Sequence, residues 1–532
     1  MNFYLTYKEY MLKRFKKVLY SIPVDLDFGC PNRNENGEGG CSFCPSHGAR
    51  AVQIGSAKSV EEQIKKAVEF AKKRYKASNF MLYLQAYTAT FSSLKKQKET
   101  YSHLLRQYNF DAISIGTRPD CLSEGVLEYL SELNKEIDVS IDLGVQTLND
   151  KTLLKINRGH DSKCSIEAIK KLKQRGLSIY AHLIIGLPGE SRRDWQESVK
   201  RLVLLGVDGF KIHNLHVIKN TPLYEQYKKK PFRVLSEYEY AEELIYLLRL
   251  IPKNIPILRF STDTPKEELV APIWHMQKGQ FKEYIDESLE YRFGESNLKS
   301  YKLADKSITL FDKKYKDYYH PKSGAINQAR RVFLEKSNLQ KRLEVKDVEL
   351  LDIGFGMGYN SLEAMKLKRK NHLSITALDK NRAIIEQSAN LLKSSILKEI
   401  YEKNCFKDEK NSLEFIVGDA RYTARLLKKK FDVIFLNPFY RDKSPSLLSV
   451  EFFQILHNLL KDDGVLIIST YLNAIRVGLS RAGFKSEIIE VDELRAIRAK
   501  KGLEKAEGRF YSDPYLVTRD KFFKFINDKI SS

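Results

Sequence analysis

Three cysteines stand close together near the start of the chain, in the segment CPNRNENGEGGCSFC. Cys30, Cys41 and Cys44 follow a C-x10-C-x2-C pattern, and the polar, glycine-containing loop between them can fold back until the thiolates converge. Cysteine thiolates hold iron–sulfur clusters, and three ligands on a four-iron cluster leave one iron open. That iron could chelate S-adenosylmethionine, whose reductive cleavage gives a 5′-deoxyadenosyl radical. A zinc site that also uses His47, or three idle thiols, are the alternatives that the spacing leaves open.

A glycine-rich segment, ELLDIGFGMGYN, joins a predicted strand to a predicted helix through Gly354, Gly356 and Gly358. Glycines let the backbone make a tight turn and approach a ligand closely. Acidic residues end three successive predicted strands nearby, and together with the glycines they indicate a nucleoside cofactor. The spacing lacks the third glycine of a pyrophosphate site, which disfavours NAD, and an incidental glycine turn is the alternative. The polar residues of this predicted site are Asp352, Asp379 and Asp419, with Asn360 just after the loop.

The elements that position the cysteines are alternating strand-like and helix-like segments over the first half of the chain. Continuous apolar strands separated by helices indicate a parallel sheet covered by helices. Six or seven such units suit a full or partial (β/α) barrel, in which functional groups collect at the carboxyl ends of the strands. Cys30 follows the first predicted strand, a position that favours an active site over structural zinc. The predicted strands are Val24–Phe28, Phe80–Gln85, Ala112–Gly116, Val139–Thr147, Leu177–Gly186, Phe210–Val217 and Ile255–Phe260.

Polar side chains interrupt or end these apolar strands. A polar group inside an apolar strand is costly unless it belongs to a binding site or a satisfied network. Taken as a set at one end of the strands, they predict a pocket. Asp142 and Gln146 are four residues apart on one predicted strand, so alternation places them on one face. The set comprises Gln85, Tyr87, Thr88, Arg118, Asp120, Asp142, Gln146, His182, Lys211, His213 and His216.

The second half of the chain resumes the alternation of strands and helices near Val348, after a stretch from Lys266 to Lys322 that breaks it. We interpret that stretch as an end-piece of the first domain followed by a connection. The later strands and amphipathic helices predict a doubly wound α/β sheet of the Rossmann type. The predicted domains are residues 1–300 and 301–532. The predicted strands are ELLDIGFG, LSITALD, LEFIVGD, FDVIFLN, GVLIIST and FKSEIIEV.

The composition is strongly basic, with a formal net charge of +22. Such an excess favours a polyanionic partner, and nucleic acid is the commonest in a cytosol. No apolar run approaches the roughly 20 residues that a membrane-spanning helix needs. The basic, aromatic N-terminus lacks the features of a signal peptide. We therefore expect a cytoplasmic protein without a membrane partner.

Residues from about 5 to 290 resemble the Elongator-catalytic-subunit-like branch of the radical-SAM superfamily, in particular a bacterial family of enzymes that modify the tRNA wobble uridine. The matching stretches are FGCPNRNENGEGGCSFC, LQAYTATF, SIGTRPDCL, LGVQTLNDKTLLKINRGHD, HLIIGLPGES and KIHNLHVIKNTPL. The resemblance implies that Cys30, Cys41 and Cys44 hold a [4Fe–4S] cluster. It assigns Gln85, Thr88, Gln146, Leu187, Pro188 and Gly189 to binding of S-adenosylmethionine, and Tyr87 to catalysis.

Residues from about 305 to 532 resemble class I methyltransferases, and more narrowly the methyltransferase domain of the bifunctional enzymes that finish 5-methylaminomethyl-uridine at the tRNA wobble position. The matching stretches are DKKYKDYYHPKSGAINQARRVFLE, LDIGFGMGYNSL, FDVIFLNPFYRDKSPSLLSVEFFQIL, TYLNAIRVGLSRAGF and GRFYSDPYL. That family usually has Asp where this chain has Asn437. An amide accepts a hydrogen bond from an amine but cannot act as a base, so we expect amine methylation with proton loss to solvent. Tyr359, Phe439 and Tyr440 are candidates for pocket walls or for stacking on an unpaired base.

The two resemblances together imply a bifunctional tRNA-modifying enzyme. The radical-SAM domain would convert carboxymethylaminomethyl-uridine to aminomethyl-uridine, and the methyltransferase domain would N-methylate it to 5-methylaminomethyl-(2-thio)uridine. The implied cofactors are a [4Fe–4S] cluster and S-adenosylmethionine at two sites, and the implied partners are the tRNA anticodon stem–loop and an electron donor of the flavodoxin or ferredoxin type. Three alternatives stay open: an Elongator-type radical carbon-attaching enzyme, a radical-SAM methyltransferase acting on a non-tRNA amine, and a zinc-stabilised, SAM-sensing RNA-binding protein.

Overall fold

The computed structural model describes residues 3–34, 36–45, 48, 57, 59–85, 87–293, 298–313, 315–438 and 445–511. The chain divides into two compact units, residues 1–286 and 287–532. None of the described helices combines the length and the low charge that a membrane crossing requires.

The first unit is built from alternating strands and helices. Its strands are β1 (Leu5–Thr6), β2 (Tyr20–Val24), β3 (Phe80–Leu84), β4 (Ala112–Thr117), β5 (Asp138–Gln146), β6 (Ser178–Ile185), β7 (Gly209–Asn214), β8 (Val217–Ile218), β9 (Pro256–Arg259) and β10 (Leu269–Ala271). Its helices are α1 (Tyr7–Phe15), α2 (Val60–Tyr75), α3 (Leu94–Leu105), α4 (Glu124–Leu133), α5 (Asp150–Lys155), α6 (Ser162–Gln174), α7 (Arg192–Leu204), α8 (Pro222–Lys229), α9 (Glu237–Leu248) and α10 (Lys278–Phe293), the last of which crosses the boundary between the units.

Eight of these strands form one parallel sheet in the order β1-β9-β7-β6-β5-β4-β3-β2, curled into a partial barrel. Its edge strands, β1 and β2, are not paired with each other in the described part of the chain. Along β5 the apolar Val139, Ile141 and Leu143 are fully buried and alternate with the polar Ser140 and Asp142. Because successive side chains lie on opposite faces of a strand, one face packs in the core and the other carries polar groups into the barrel.

The first strand begins and ends earlier than the sequence predicts. The predicted strand Val24–Phe28 is wrong, because β2 spans Tyr20–Val24. Asp27 has a φ of 52° and Gly29 a φ of 76°, so the backbone after Val24 turns instead of continuing in an extended conformation. β2 therefore ends at Val24. The turn that follows extends to Gly29, and Cys30 stands on the loop after it.

The second unit contains a small antiparallel sheet and a large mixed one. Its strands are β11 (Leu298–Lys302), β12 (Ile308–Asp312), β13 (Asp317–Tyr318), β14 (Val348–Ile353), β15 (Leu373–Asp379), β16 (Cys405–Lys407), β17 (Asn411–Val417), β18 (Phe431–Leu436), β19 (Leu460–Ile468), β20 (Phe484–Val491) and β21 (Leu494–Lys501). Its helices are α11 (Ala325–Asn327), α12 (Leu339–Val345), α13 (Tyr359–Met365), α14 (Arg382–Leu391), α15 (Ser395–Lys403), α16 (Ala420–Thr423), α17 (Val450–Leu459) and α18 (Asn473–Arg481), and a π-helical turn covers Gln328–Leu334.

The large sheet has the order β16-β17-β15-β14-β18-β19-β21-β20. The chain runs outward from β14 through β15 to β17 and then returns to β18 on the other side of β14. The carboxyl ends of β14 and β18 thus flank a topological switch point, where ligands bind in open α/β sheets. The Rossmann-like fold and the partial barrel predicted from the sequence are confirmed.

Two features of this unit were not predicted from the sequence. The stretch Lys266–Lys322, interpreted as an end-piece and connection, contains α10 and the three-stranded sheet of β11, β12 and β13. In β11 only Leu298 is buried, so the strand lacks the alternation that would reveal it. The sequence also gave no sign of β21, which inserts antiparallel between β19 and β20.

Candidate functional site

The cysteine loop of the first unit returns on itself through two glycines. Gly40 donates its N–H to the carbonyl of Asn32 at 2.7 Å, and Gly39 pairs with Arg33 in an isolated bridge. Both glycines have positive φ, and a Cβ on Gly40 would lie 3.0 Å from the Arg33 guanidinium. This tight return brings Cys41 back beside the segment that carries Cys30.

Two guanidinium groups lie beside the thiols. Arg118 Nη1 is 4.0 Å from Cys30 Sγ and 3.9 Å from Cys41 Sγ, and Arg158 Nη1 is 3.4 Å from Cys41 Sγ. Arg118 is held by Asp120, whose two carboxylate oxygens accept its Nε–H and Nη2–H at 2.8 and 2.7 Å. Nearby cations favour the thiolate over the thiol, so this pocket suits a ligand held by thiolates.

The third thiol has a different environment. Burial raises the pKa of Cys44, while Arg33 opposes the shift and the charges of Cys41 and Cys30 add to it. Cys44 donates its N–H to the carbonyl of Cys41 at 3.0 Å, so the third thiol follows the second on the same tight turn. Three soft thiolates with compensating guanidiniums fit an iron–sulfur cluster. Among the described residues, no three His, Cys, Asp or Glu side chains are grouped to hold a single metal ion, and His47 lies outside them.

The segment after β3 is tied to this loop. Thr88 donates its N–H to the carbonyl of Gly29 at 3.1 Å, and the Gln85 N–H donates to the carbonyl of Val24. Tyr87 has a φ of 49°, and the Arg33 guanidinium lies 5.9 Å from the centre of its ring. The buried Thr88 hydroxyl has no hydrogen-bond partner within the described part of the chain. The structure thus ties the segment of Gln85, Tyr87 and Thr88 to the end of β2 and to the start of the cysteine loop, and the cofactor and catalytic roles of these residues stay predictions.

Leu187 and Gly189, two further predicted cofactor residues, lie between β6 and α7. Leu187 belongs to an apolar cluster that includes Phe43, which stands between Cys41 and Cys44. Gly189 has a φ of 94°, and a Cβ there would lie 3.3 Å from Lys155 Nζ.

Gln146 departs from the simple alternation along β5. The register with β6 shifts between Leu143 and Gln146, and Gln146 has a φ of 71°. A bulge of this kind breaks the period of two, so the prediction that Asp142 and Gln146 share a face by alternation is wrong. A Cβ on Gly144 would lie 3.0 Å from Gln146 Nε2 and 3.1 Å from Arg158 Nη2. The bulge therefore directs the Gln146 amide toward the guanidinium that contacts Cys41.

The second unit forms a glycine loop at its topological switch point. Gly354, Gly356 and Gly358 all have positive φ. A Cβ on Gly354 would overlap the backbone carbonyl of Asn437, whose N–H donates to the carbonyl of Ile353 at 2.9 Å. The loop after β14 therefore lies directly against the end of β18, and only glycine fits at this contact.

The three acidic residues predicted for the cofactor site accept hydrogen bonds from local donors, and their cofactor role stays a prediction. Asp379 Oδ2 accepts the Gly356 N–H at 2.8 Å. Asp419 caps α16 and forms a bidentate ion pair with Arg421. Asp352 is buried and accepts the Ser361 hydroxyl at 2.7 Å. These carboxylates are therefore fixed in place by local donors.

The three aromatic residues predicted as pocket walls or stacking partners cannot be treated alike. Tyr359 donates its hydroxyl to the carbonyl of Ile308 at 2.8 Å and packs on His320, so it belongs to the core beside the small sheet. Phe439 and Tyr440 lie outside the described residues. Tyr319 was not predicted, although it stands in the stretch DKKYKDYYHPKSGAINQARRVFLE that carries the methyltransferase resemblance. A carbon of its ring would lie 3.2 Å from a Cβ on Gly356.

The sequence analysis also gave no role to Arg33 and Arg158. Both stand inside stretches that carry the family resemblance, CPNRNENGEGG and INRGHD. That placement was the available signal, but only the folded chain shows that both side chains reach the thiols.

Replacing Asp352 by asparagine changes the pH dependence of stability. Burial raises the pKa of Asp352 to about 7, and the charge of Asp379 adds to this shift. Because the folded chain holds this proton more tightly than the unfolded chain, the stabilisation is complete below the unfolded pKa of about 3.9 and is lost as the pH rises through 7. We expect the melting temperature of Asp352→Asn, relative to that of the unsubstituted protein, to rise between pH 5 and pH 8.

Asp432 provides the control with the opposite sign. Burial acts to raise its pKa, but Lys346 and Lys461 hold the pKa below its usual value. Its stabilisation is present above the unfolded pKa and is lost only as the pH falls. Asp432→Asn should therefore lower the melting temperature at pH 8 and do so less near pH 4. Parallel pH profiles for the two variants would contradict the assignment.

The comparisons with known proteins agree with the first site. Residues 28–202 match the Radical SAM superfamily and residues 207–291 match the Radical_SAM C-terminal domain. The chain is 33% identical over 290 residues to YtqA of Bacillus subtilis, an uncharacterized protein, which covers 54% of this chain and 90% of YtqA. This chain belongs to the radical SAM superfamily. Membership in the superfamily implies a [4Fe–4S] cluster and S-adenosylmethionine.

This radical SAM protein carries a second catalytic domain. Residues 383–497 match an S-adenosyl-L-methionine-dependent methyltransferase family. The fused architecture predicted from the sequence is confirmed, and the protein is an enzyme with radical SAM and methyltransferase domains.

Two further similarities concern parts of this radical SAM protein. A tRNA uridine(34) acetyltransferase of Methanocaldococcus infernus is 32% identical over 172 residues, which is 32% of this chain and 32% of that protein. The crystal structure of MnmC2 from Aquifex aeolicus is 24% identical, covers 46% of this chain and 83% of its own, and has a TM-score of 0.34. A TM-score this low does not establish a common function.

Proposed function

We propose that this enzyme modifies the wobble uridine of tRNA in two steps. Residues 1–300 remove the carboxymethyl part of carboxymethylaminomethyl-uridine, and residues 301–532 methylate the resulting amine to 5-methylaminomethyl-(2-thio)uridine. The observation that supports the proposal most is the pairing, in one chain, of a thiolate pocket typical of radical SAM enzymes with a glycine loop at a Rossmann switch point. The two domains use S-adenosylmethionine at two separate sites.

The radical step releases the amine and consumes no electron of the external donor over a complete cycle. When bound, the cluster supplies the electron that cleaves S-adenosylmethionine to methionine and a 5′-deoxyadenosyl radical. The 5′-deoxyadenosyl radical would take a hydrogen atom from the carbon between the amine and the carboxylate and become 5′-deoxyadenosine, and return of one electron to the oxidised cluster would leave an iminium ion. Water adds, and glyoxylate departs from the nucleoside amine. The electron released equals the one consumed, so an external donor of the flavodoxin or ferredoxin type only primes the cycle.

This chain's own residues prepare the radical site. Arg118 and Arg158 offset the negative charge of the thiolates, which lowers the penalty of burying them. Thr88 and Gln85 hold the end of β3 against the cysteine loop and the end of β2. The Tyr87 ring lies beside the Arg33 guanidinium and forms one wall of the pocket that contains the cysteines.

The methyl-transfer site acts by alignment. Transfer from a sulfonium requires an in-line approach by a neutral amine, so orientation is the main contribution of the protein. Asn437 accepts a hydrogen bond from the amine through its side-chain carbonyl, and solvent takes the proton. Asp379 and the three glycines hold the cofactor at the switch point, and Asp352 supports the loop through Ser361.

The basic composition and a relative support tRNA as the substrate. The formal net charge of +22 favours phosphate contacts. The similar M. infernus protein is a tRNA uridine(34) acetyltransferase. That same relative favours a second candidate, in which the radical domain attaches a carbon unit to the uridine in the manner of the Elongator-type enzymes. The cytoplasm is the compartment in which either reaction would take place.

Mass spectrometry of tRNA nucleosides from a strain lacking this protein tests the proposal. We expect the carboxymethylaminomethyl form to accumulate and the methylaminomethyl form to disappear, and the unsubstituted protein supplied in trans should restore the profile. Loss of every side chain at the uridine 5-position would instead support the carbon-attaching candidate. An unchanged profile would refute both.

A further inference from the structure

A buried ionic cluster lies in the interior of the partial barrel, apart from the thiols. Asp142 of β5 accepts hydrogen bonds through Oδ2 from Lys211 Nζ of β7 and from Ser114 Oγ of β4, the latter at 3.2 Å. His182 Nε2 of β6 lies 3.3 Å from Asp142 Oδ1. Asp142 and His182 stand four and three residues before the last residues of their strands. The prediction that these groups collect at one end of the strands is therefore wrong, because they form a layer inside the barrel.

Of the two other histidines in the predicted polar set, His216 lies apart from this layer and His213 adjoins it. His216 follows β7 instead of belonging to it, and its Nδ1 is 2.8 Å from the Thr264 hydroxyl. His213 is on β7, one residue before its end, and its ring stacks on that of His182 with centroids 5.5 Å apart. The two stacked imidazoles thus extend the layer toward the carboxyl ends of the strands.

Basic side chains outnumber the single acidic one in this layer. Arg259 ends β9 in register with Lys211, so both side chains lie on the same side of the sheet. Burial lowers the pKa of His213 well below its usual value, and the charges of His182, Arg259 and Lys211 lower it further. Lys211 and Arg259 therefore place basic groups near His213, while Asp142 pairs with Lys211 and with His182. Basic groups at a cleft attract anions.

One polar atom of this layer lacks a partner among the described residues. His213 Nε2 is buried and has no hydrogen-bond partner within the described ranges, whereas His182 Nε2 and Asp142 Oδ1 face each other at 3.3 Å. The His182 side chain still exposes 19% of its surface, so the layer borders open space. Buried polar groups without partners are uncommon in folded proteins. The ion pairs of Asp142 with Lys211 and His182 do not account for this nitrogen of His213.

We propose that His213, Arg259 and His182 form a subsite for a carboxylate group of the substrate. This inference rests on the proposed function, in which a carboxymethyl group is the part removed. His213 donates its Nε2–H to the carboxylate, and Arg259 supplies a compensating charge. Lys211 and Asp142 hold the His182 ring in place, so these two are positioning residues. Arg259 is exposed and His213 is partly buried, so the subsite opens to solvent and a side group of the substrate can reach it.

Binding to two matched oligonucleotides tests the subsite. Both are anticodon stem–loops, one carrying carboxymethylaminomethyl-uridine and the other its neutral carboxamide analogue. We expect the full-length cluster-loaded protein to bind the carboxylate form about tenfold more tightly or better, the range typical of hydrogen bonds to charged groups. In Arg259→Gln and in His213→Gln the preference should fall to about twofold or less. Arg106→Gln, a change at the exposed end of α3, is the matched control and should keep the preference.

Each outcome of this test decides the inference. Iron content and the circular dichroism spectrum of each variant should equal those of the unsubstituted protein, which shows that the variants are folded. Equal affinity of the unsubstituted protein for both oligonucleotides, or a preference that survives both substitutions, would overturn the subsite. A preference without conversion of the nucleoside would keep the subsite and reject the proposed reaction, so the two failures are distinguishable.

Discussion

Replacing any one of Cys30, Cys41 and Cys44 by alanine abolishes the iron–sulfur centre and, with it, the radical half of the reaction. The unsubstituted protein, reconstituted without oxygen, should hold about four irons per chain. Each variant should lose most of this iron and form no 5′-deoxyadenosine under reducing conditions. The physical reason is that Arg118 lies beside the thiols of Cys30 and Cys41 and Arg158 beside that of Cys41, while Cys44 is hydrogen-bonded through its backbone to Cys41.

Cys405→Ala is the matched control, because Cys405 is an exposed thiol on β16 of the other unit. It should keep full iron content and full cleavage of S-adenosylmethionine. Iron and acid-labile sulfide analysis gives the readout, with the visible absorption band as a second measure. A protein that binds zinc in place of iron, or cysteine variants that retain the centre, would contradict the assignment and favour the zinc-stabilised alternative.

Replacing Gly354 by alanine should separate the two halves of the proposed reaction. Gly354 has a φ of 77°, and an added methyl group would overlap the carbonyl of Asn437. The loop and the end of β18 must then move apart, which displaces the methyl donor from the amine. Misalignment of about 1 Å can reduce a rate by about a hundredfold. We expect tRNA from cells with this variant to accumulate aminomethyl-uridine, whereas the cysteine variants accumulate the carboxymethylaminomethyl form.

Gly279→Ala is the control for the loss of a glycine, because its Cβ would meet nothing within 4 Å. It should leave the nucleoside profile unchanged. Methylation at the normal rate in Gly354→Ala would show that the glycine loop is not the methyl-transfer site. Accumulation of the carboxymethylaminomethyl form in that variant would mean that methyl transfer and the radical step are not independent.

Much of the fold follows from the sequence because its strands are long and continuously apolar. Strands β4, β6 and β18 are buried on both faces and are bounded by turn residues, so their apolar runs stand out against the helices. Short or exposed strands do not give this signal. β11 buries a single residue, and neither β11 nor β21 was predicted.

The candidate site was predictable only where local pattern sufficed. Cys30, Cys41 and the glycine loop follow from spacing along the chain. The contacts of Arg158 with Cys41 and the bulge at Gln146 do not, because they depend on which segments meet after folding. Arg158 and Cys41 are 117 positions apart in the sequence, so their contact leaves no periodic pattern there.

The unpaired edges of the first sheet bear on how a large substrate would enter. Closing a barrel would require β1 and β2 to share a ladder of hydrogen bonds, and any widening would then have to break it. Within the described residues the two margins share no such ladder, so they can separate without breaking one. Movement of these margins would let a sheet of this kind adjust its width to a bulky substrate.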